Sequence, residues 1–382
     1  MCTKCSADGT AVGSTRPYSV VPIVPIYGHD VVRSRLAMAV DQATLPASLL
    51  LHGPSGVGKQ RLALWLAQVL LCQSDSGRPC GNCQSCRYAS ALTHPDLYWV
   101  FPRPRLGDRA DSAEVRQDYG DAIGERVRSA MLYGPPSGAD GIFLATALWL
   151  VQAAARTPAM ARRKVIIVGD AERMVPQEGA DAAANAFLKL LEEPPADTVL
   201  VLTSSEPGAL LPTIRSRVTA VRVGRVSDAD VRTFVGDPTV AAALSARHAP
   251  PGDAERVRLA HGAPGSLFDD RMSPEIVQTA RAFLAGAEAS GADRYKTALY
   301  QGAAGARGAL AHALDALTVL LHARVRDAAQ RGNQAEALAA TAAITATEHA
   351  KARASGNVSP QLIAISLMRG IERSASAARD RI

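Results

Sequence analysis

The sequence is poor in aromatic residues and has no long apolar run. Aromatic residues make up 4% of the 382 residues, and no apolar run approaches the roughly 20 residues that a membrane-spanning helix needs. Residues 1–17 also lack the apolar stretch of a signal peptide. Four of the six cysteines lie between residues 72 and 86. This bunching is typical of metal ligands in a reducing cytoplasm rather than of a disulfide framework.

The basic charge of the chain is spread too thinly to identify a nucleic-acid-binding surface. The formal net charge is +6, but we find no concentrated stripe of lysine and arginine with interleaved aromatic residues. The nearest candidate, Arg103–Arg116, contains three acidic residues and no aromatic residue. A stand-alone, zinc-stabilised nucleic-acid-binding protein is therefore an alternative with little support.

The pattern of apolar residues predicts two kinds of domain. Strands alternate with helices in the first part, which predicts an α/β domain with a parallel sheet. The first predicted helix begins near His29–Asp30, and two others cover Arg61–Leu71 and Asp181–Glu193. The predicted strands are Ala47–Leu51, Lys164–Val168 and Thr198–Thr203. From Ser227 onward the chain is rich in alanine and shows no convincing strand, which favours helices.

Four segments follow from this change of pattern. Leu310, Leu314, Leu317 and Leu321 form one helical stripe, and Gly356–Pro360 breaks the chain before a last helix from Gln361. We predict a disordered tail at 1–20, an α/β domain at 21–225 with an inserted module at 72–86, a small helical domain at 226–272, and an all-α domain at 273–382.

A glycine-rich turn between a strand and a helix resembles a phosphate-binding P-loop. Its residues are Gly53, Gly56, Gly58, Lys59 and Gln60. Backbone N–H groups and a helix N-terminus can cradle phosphate oxygens there, and the lysine can reach the outer phosphates. Gln60 stands where a serine or threonine hydroxyl would ligate Mg²⁺. We expect weak nucleotide binding or none and no efficient hydrolysis; the alternative is a turn that only joins strand to helix.

The second acidic motif of such an ATPase is also altered. An active enzyme has Asp-Glu after the next motif strand, to orient Mg²⁺ and to polarise water. After Lys164–Val168 this chain has Gly169 and Asp170. Aligning strand ends puts Gly169 at the metal position and the shorter Asp170 at the catalytic one; a slip of one residue puts Asp170 at the metal position and Ala171 at the other. In either alignment one carboxylate is missing.

The cysteine cluster predicts a structural zinc site. Cys72, Cys80, Cys83 and Cys86 form two overlapping C-x2-C steps with an upstream fourth thiol. Four thiolates make a closed tetrahedral site without an open catalytic position. The alternative is a set of reduced thiols. Cys2 and Cys5 also form a C-x2-C pair, but the tail offers no second pair, so we expect them to be free.

Several segments together resemble the bacterial DNA polymerase III clamp-loader ATPases, the delta-prime and gamma/tau family, which has an AAA+ fold. They are the opening helix from Ile26, the inserted cysteine module, Asn185–Pro195, the sensor-1-like Thr203–Pro207, and Thr213–Val218, which is similar to the Ser-Arg-Cys motif. The resemblance covers roughly residues 26–270. The C-terminal helices match only in general character. The resemblance implies an AAA+ P-loop domain at 21–225 with the zinc module at 72–86, a helical lid domain at 226–272, and a helical collar at 273–382 that joins subunits in an oligomer.

The departures from the family pattern imply the delta-prime type, which does not hydrolyse ATP. They are Gln60, Gly169 with Asp170, and Phe268 in place of the sensor-2 arginine. The resemblance implies that Arg217 enters the ATP site of a neighbouring subunit as an arginine finger. It also implies a cytoplasmic hetero-oligomer with gamma/tau-type and delta subunits that loads a sliding clamp on primed DNA as part of the polymerase III holoenzyme. A salt-bridged loop residue is the plainer interpretation of Arg217.

Two further points stay open in the sequence. An active gamma/tau-type ATPase that tolerates Gln60 is the main alternative function. The chain is also longer than the family pattern needs, at 104–141 and at 175–180, and we expect solvated loops there rather than a specific contact.

Overall fold

The computed structural model describes residues 23–106, 110–136, 140–174, 181–247, 252–269, 274–289, 291–299, 307–354 and 358–379. Its first part is the predicted α/β domain. In chain order the elements are α1 (Asp30–Asp41), β1 (Ser48–His52), α2 (Lys59–Leu71), α3 (Gln84–Ser90), β2 (Leu97–Val100), α4 (Ser112–Arg128), α5 (Leu144–Ala154), β3 (Lys164–Val168), α6 (Asp181–Glu192), β4 (Thr198–Ser204), α7 (Pro212–Arg215) and β5 (Thr219–Arg222).

The five strands form one parallel sheet in the order β2-β3-β4-β1-β5. Every residue of β3 and β4 is buried, as expected for a parallel sheet covered on both faces by helices. Pairs such as Leu50 with Leu202 and Ile166 with Leu200 set the register. The carboxyl ends of β1, β3 and β4 therefore meet at one edge, where open α/β sheets bind ligands.

Two helical parts follow the sheet domain. The first lies at the position of the predicted lid and is called the lid below. It contains α8 (Asp228–Val235), α9 (Pro238–Ala246) and α10 (Asp253–Ala260) and ends in a 3₁₀ turn over Pro264–Phe268. The second contains α11 (Pro274–Glu288), α12 (Gly291–Leu299), α13 (Arg307–Gln330), α14 (Gln334–Ala354) and α15 (Pro360–Arg379). The predicted leucine stripe of α13 is buried in the core of this second part. The fold class is confirmed, whereas the exact domain boundaries stay predictions.

The sequence missed several elements. The strands β2 and β5 and the helices α3, α4 and α5 were not predicted. The expectation of solvated loops at 104–141 is wrong for residues 112–128. Residues 112–128 form α4, which begins at a capping box in which the Asp111 side chain accepts from the N–H of Glu114 and the Glu114 side chain accepts from the N–H of Asp111. Val115 and Tyr119 of this helix are buried in the main core.

Other predictions fall outside the described residues. They are the tail at 1–20 with Cys2 and Cys5, the segment 175–180, and Gly356. Within the described ranges, no helix combines the length and the apolar composition needed to cross a bilayer.

Candidate nucleotide and metal sites

The P-loop connects β1 to α2 and has the backbone that its glycines permit. Gly56 has φ 77° and Gly58, the N-cap of α2, has φ 95°; L-residues with a side chain rarely adopt such angles. A Cβ on Gly56 would lie 2.7 Å from the backbone nitrogen of Ser266. The loop is therefore packed directly against the 3₁₀ turn that ends the lid helices, and Gly265 N–H donates to Gly56 O at 2.8 Å.

The Lys59 ammonium is hydrogen-bonded to its own loop. Its Nζ donates to Gly53 O at 2.9 Å, to Pro54 O at 2.8 Å and to Ser205 Oγ at 2.9 Å. An ammonium has three donors, so all of them have partners within the chain. The residue is only 5% exposed, and this burial lowers the pKa of the amine.

The Gln60 side chain joins the P-loop to the end of β3. Its Nε2 donates to Asp170 Oδ2 at 3.0 Å, and its Oε1 accepts from Trp99 Nε1 at 3.1 Å. A Cβ placed on Gly169 would lie 2.5 Å from Gln60 Oε1. Position 169 and the Asp170 carboxylate therefore both face position 60.

Two carboxylates lie beyond Gly169. Asp170 has φ 49°, and its N–H donates to Thr203 Oγ1 at 3.0 Å. Burial, together with the nearby Glu172, raises the pKa of Asp170. Glu172 Oε1 accepts from Ser205 N–H at 2.9 Å, while its Oε2 is buried without a hydrogen-bond partner in the described part of the chain. Both carboxylates thus lie in a poorly solvated place beside Lys59.

The ring of Phe268 points into the lid core rather than into solvent. It is 1% exposed, and its centroid is 6.1 Å from that of Phe234 in an edge-on contact. The position at which the family resemblance implies a sensor-2 arginine is therefore filled by a hydrophobic core residue.

Arg217 follows α7 on the surface of the sheet domain. Its Nη2 is 2.6 Å from Glu192 Oε1 at the end of α6, and its Nη1 donates to Thr213 O at 2.8 Å. The side chain remains 32% exposed. The guanidinium is thus held in one orientation by two groups while part of it faces solvent.

The four predicted cysteines come together between α2 and α3. Cys72 is the C-cap of α2 and Cys83 is the N-cap of α3. Their Sγ atoms and those of Cys80 and Cys86 all lie within 4.8 Å of one another. Backbone N–H groups of Cys83 and Asn82 lower the pKa of the Cys80 thiol to about 6, because they stabilise the thiolate. Four sulfurs so close together could bind one metal ion.

Buried polar contacts tie this cysteine module to the sheet. Asp96 N–H donates to His94 Nδ1 at 3.0 Å, so the proton of the imidazole lies on Nε2, which is 3.2 Å from Ser85 Oγ in α3. The Asp96 carboxylate accepts from the N–H groups of Ala159, Met160 and Ala161 at 2.6–2.8 Å. These contacts were not predicted.

Comparison with known proteins decides the family. A family model described as "DNA polymerase III, delta subunit" matches residues 28–227, just over half of the chain. The chain belongs to this family. It is 36% identical over 169 residues to the DNA polymerase III subunit delta' of Pseudomonas aeruginosa and 33% identical over 171 residues to that of Escherichia coli. Each match covers 44% of this chain and 40% of the relative. The predicted resemblance to delta-prime is confirmed.

More distant relatives are also DNA polymerase III subunits or proteins related to them. The DNA polymerase III subunit gamma/tau of Mycobacterium tuberculosis is 29% identical over 205 residues, which are 53% of this chain and 28% of the relative. A gamma subunit-related protein of Thermotoga maritima aligns in structure with a TM-score of 0.43 and 16% identity, over 89% of this chain and 99% of its own. So weak a structural likeness adds nothing to the assignment.

Proposed function

We propose that the chain is a non-hydrolysing subunit of a clamp loader. It would act in the cytoplasm, in a hetero-oligomer with gamma/tau-type and delta subunits, to place a sliding clamp on primed DNA. Family membership and the delta' relatives support the assembly. The chain matches only about 40% of the length of those relatives, so the activity of the whole complex is carried over as a proposal.

One observation carries the claim that this subunit does not hydrolyse ATP. The space in which a metal-binding carboxylate at position 169 and a hydroxyl at position 60 would meet holds the Gln60 amide instead. Mg²⁺ requires oxygen ligands in near-octahedral geometry, and phosphoryl transfer in P-loop enzymes depends on that ion. Lys59 is bonded to its own loop and to Ser205, so its ammonium would have to leave these partners to reach a phosphate.

The chemistry of this subunit would then be exerted on its neighbour. Arg217 is partly exposed and is held by Glu192 and Thr213, so its planar fork is fixed before a partner arrives. In GTPases an arginine that stabilises the transferring phosphoryl group contributes about 10³–10⁵ in rate. We propose the same role for Arg217, in the ATP site of an adjacent gamma/tau-type subunit.

The four-cysteine site would hold a structural Zn²⁺. Its ligands cap the end of α2 and the start of α3, so the ion would fix the connection between the P-loop helix and the next segment. A site with four thiolates has no open position for a substrate. The proposed role of the ion is to stabilise the fold rather than to take part in the reaction.

Reconstitution tests the proposed function. The chain, carrying either Arg217→Ala or the control Arg215→Ala, is mixed with gamma/tau-type, delta and clamp proteins and primed DNA. We expect Arg217→Ala to assemble normally and to lower the DNA-stimulated ATPase by about tenfold or more, and Arg215→Ala, an exposed side chain of α7, to leave it unchanged. Equal rates for the two variants would remove the arginine-finger role. Brisk ATP hydrolysis by the isolated chain would refute the non-hydrolysing assignment.

A further inference from the structure

Helix α4 brings a cation to the metal end of the P-loop site. Arg126, in its last turn, has Nη1 3.5 Å from Gln60 Oε1, the same amide whose Nε2 bonds Asp170. Only one side-chain amide therefore separates the guanidinium from the Asp170 carboxylate. This helix lies in the stretch that is longer than the family pattern needs, so the family motifs do not account for it.

Aromatic rings surround the Arg126 guanidinium. Its central carbon lies 3.3 Å from the ring centroid of Phe101, 3.8 Å from that of Tyr133 and 4.8 Å from that of Trp99. Ring faces attract a cation most strongly when water is excluded. Because a guanidinium keeps its charge in proteins, the cage holds a permanent positive charge beside Gln60.

The helix that carries Arg126 is firmly attached to the sheet domain. Arg103 makes two hydrogen bonds to the Asp118 carboxylate, at 2.8 and 3.0 Å, and Tyr119 Oη donates to Phe101 O at 2.8 Å. Beyond the helix, Gly134 packs so closely on the lid that a Cβ there would lie 2.7 Å from Phe268 O. These contacts hold α4 and the segment that follows it in a fixed position at the site.

The electrostatic consequence concerns divalent cations. A dication near Asp170 would gain that carboxylate, which is an Mg²⁺ ligand in type. It would gain the Gln60 amide oxygen only if the amide turned over, because Nε2 faces Asp170 while Oε1 faces Arg126. It would also have to approach a guanidinium that already occupies the other side of the same amide. In a poorly solvated place this repulsion is weakly screened.

We infer that Arg126 is a built-in substitute for the metal and excludes Mg²⁺ from this P-loop, so that any adenine nucleotide the loop binds is bound without a divalent cation. The inference deepens the proposed function and rests on its premise that the site does not support hydrolysis. It assigns a role to α4 and predicts that the P-loop prefers the metal-free form of the nucleotide.

The test compares nucleotide binding with and without the metal. A fluorescent ADP analogue is titrated into the full-length chain in EDTA and in excess Mg²⁺. The wild type should show no tightening by Mg²⁺, whereas Arg126→Met should bind at least about tenfold more tightly with Mg²⁺ than without it, a change of 1.4 kcal/mol by the usual conversion. Arg128→Met, two residues further on the same helix and exposed, is the matched control and should behave as the wild type.

Each remaining outcome decides the question. The inference is overturned if Mg²⁺ tightens nucleotide binding to the wild type tenfold. It is also overturned if Mg²⁺ does not tighten binding to Arg126→Met, and this includes the case in which no nucleotide binds. Arg126→Lys keeps a positive charge and should resemble the wild type; if it resembles Arg126→Met, packing rather than charge excludes the metal. Should Arg126→Met fail to fold, Arg126→Gln gives the same comparison with an amide that can still donate to Gln60. ATP turnover by the wild type is measured separately: turnover refutes the proposed function and with it this inference, whereas the absence of a gain in Arg126→Met, in a chain without turnover, overturns this inference alone.

Discussion

The contact between Gln60 and Gly169 predicts a strong energetic coupling. In Gly169→Ala the new methyl group would lie 2.5 Å from Gln60 Oε1 and 2.6 Å from its Cδ, far inside van der Waals contact. Overpacking of this kind costs about 1–3 kcal/mol. If Gln60 turns away instead, the indole N–H of Trp99 loses its acceptor, and an unsatisfied buried group costs about 1–3 kcal/mol. Because either response carries a cost of this size, we expect Gly169→Ala to lower the free energy of unfolding by about 1–3 kcal/mol.

A double-mutant cycle separates this contact from any other effect of the alanine. In a Gln60→Ala background the methyl group has nothing to strike, so the same Gly169→Ala change should cost less than about 0.5 kcal/mol. The coupling energy would then be about 1 kcal/mol or more. Gly208→Ala is the control, because a Cβ there meets nothing within 4 Å, and it should be nearly neutral.

Denaturant unfolding followed by tryptophan fluorescence is the assay. The three tryptophans, Trp65, Trp99 and Trp149, all lie in the sheet domain, so the signal reports that domain and not the C-terminal helices. Additive effects of Gly169→Ala and Gln60→Ala would show that the two side chains do not compete for one space. That result would also remove the main support for the non-hydrolysing assignment.

Three further predictions concern stability. Cys86→Ser should lose bound zinc by elemental analysis and lower the unfolding temperature by several degrees; a chelator should do the same to the wild type and nothing more to the variant. Lys164→Met should lower the free energy of unfolding in denaturant by about 1–3 kcal/mol, because Lys164 is only 1% exposed and donates to the carbonyl of Ala154 at the end of α5. The control Arg162→Met, at an exposed side chain, should lower it by less than about 0.5 kcal/mol. Burial and the nearby Arg326 lower the pKa of His261 to about 4. Between pH 6.5 and 4 the unfolded chain therefore takes up a proton that the folded chain does not, and the free energy of unfolding falls as the pH falls. His261→Gln should remove about 1 kcal/mol of that loss, allowing for solvent screening, when unfolding is followed by circular dichroism at pH 7.5 and 5.

The sequence identified the central strands because burial on both faces leaves a plain signal. Lys164–Val168 was predicted with the bounds that the structure shows, and β1 and β4 to within a residue at either end. The edge strands gave no such signal. Thr219–Arg222 is mostly exposed and pairs with β1 alone, and Leu97–Val100 has only four residues between proline-containing flanks. Short strands at an edge lack the long apolar run on which the prediction depends.

Helix α4 could have been found, since its start carries a capping signal. Asp111 and Glu114 have the spacing of a capping box, and Val115, Tyr119 and Ala122 follow at helical spacing and are buried. The comparison with a shorter family pattern favoured a loop instead. An extra segment need not be a loop when its own residues supply a cap and an apolar face.

The motif residues of the site could be predicted, but their partners could not. Gly53–Gln60 and Asp170 lie at the sheet edge where the spacing placed them. Gln60 contacts Trp99, Arg126 and Tyr133, which are 39, 66 and 73 residues away in sequence. Contacts of such long range depend on how α4 packs across the sheet, and nothing in the local pattern specifies that packing.

The P-loop has a structural role in this chain that does not depend on ATP hydrolysis. Gly56 leaves room for the backbone of Ser266, and the Gly265 N–H bonds the same glycine, so the loop fastens the lid to the sheet domain. Lys59 joins the loop carbonyls to Ser205 at the end of β4. A larger residue at Gly56 or a neutral one at Lys59 would therefore weaken the fold even if no nucleotide ever bound. A P-loop sequence alone thus does not identify an ATPase; the residues that face positions 60 and 169 do.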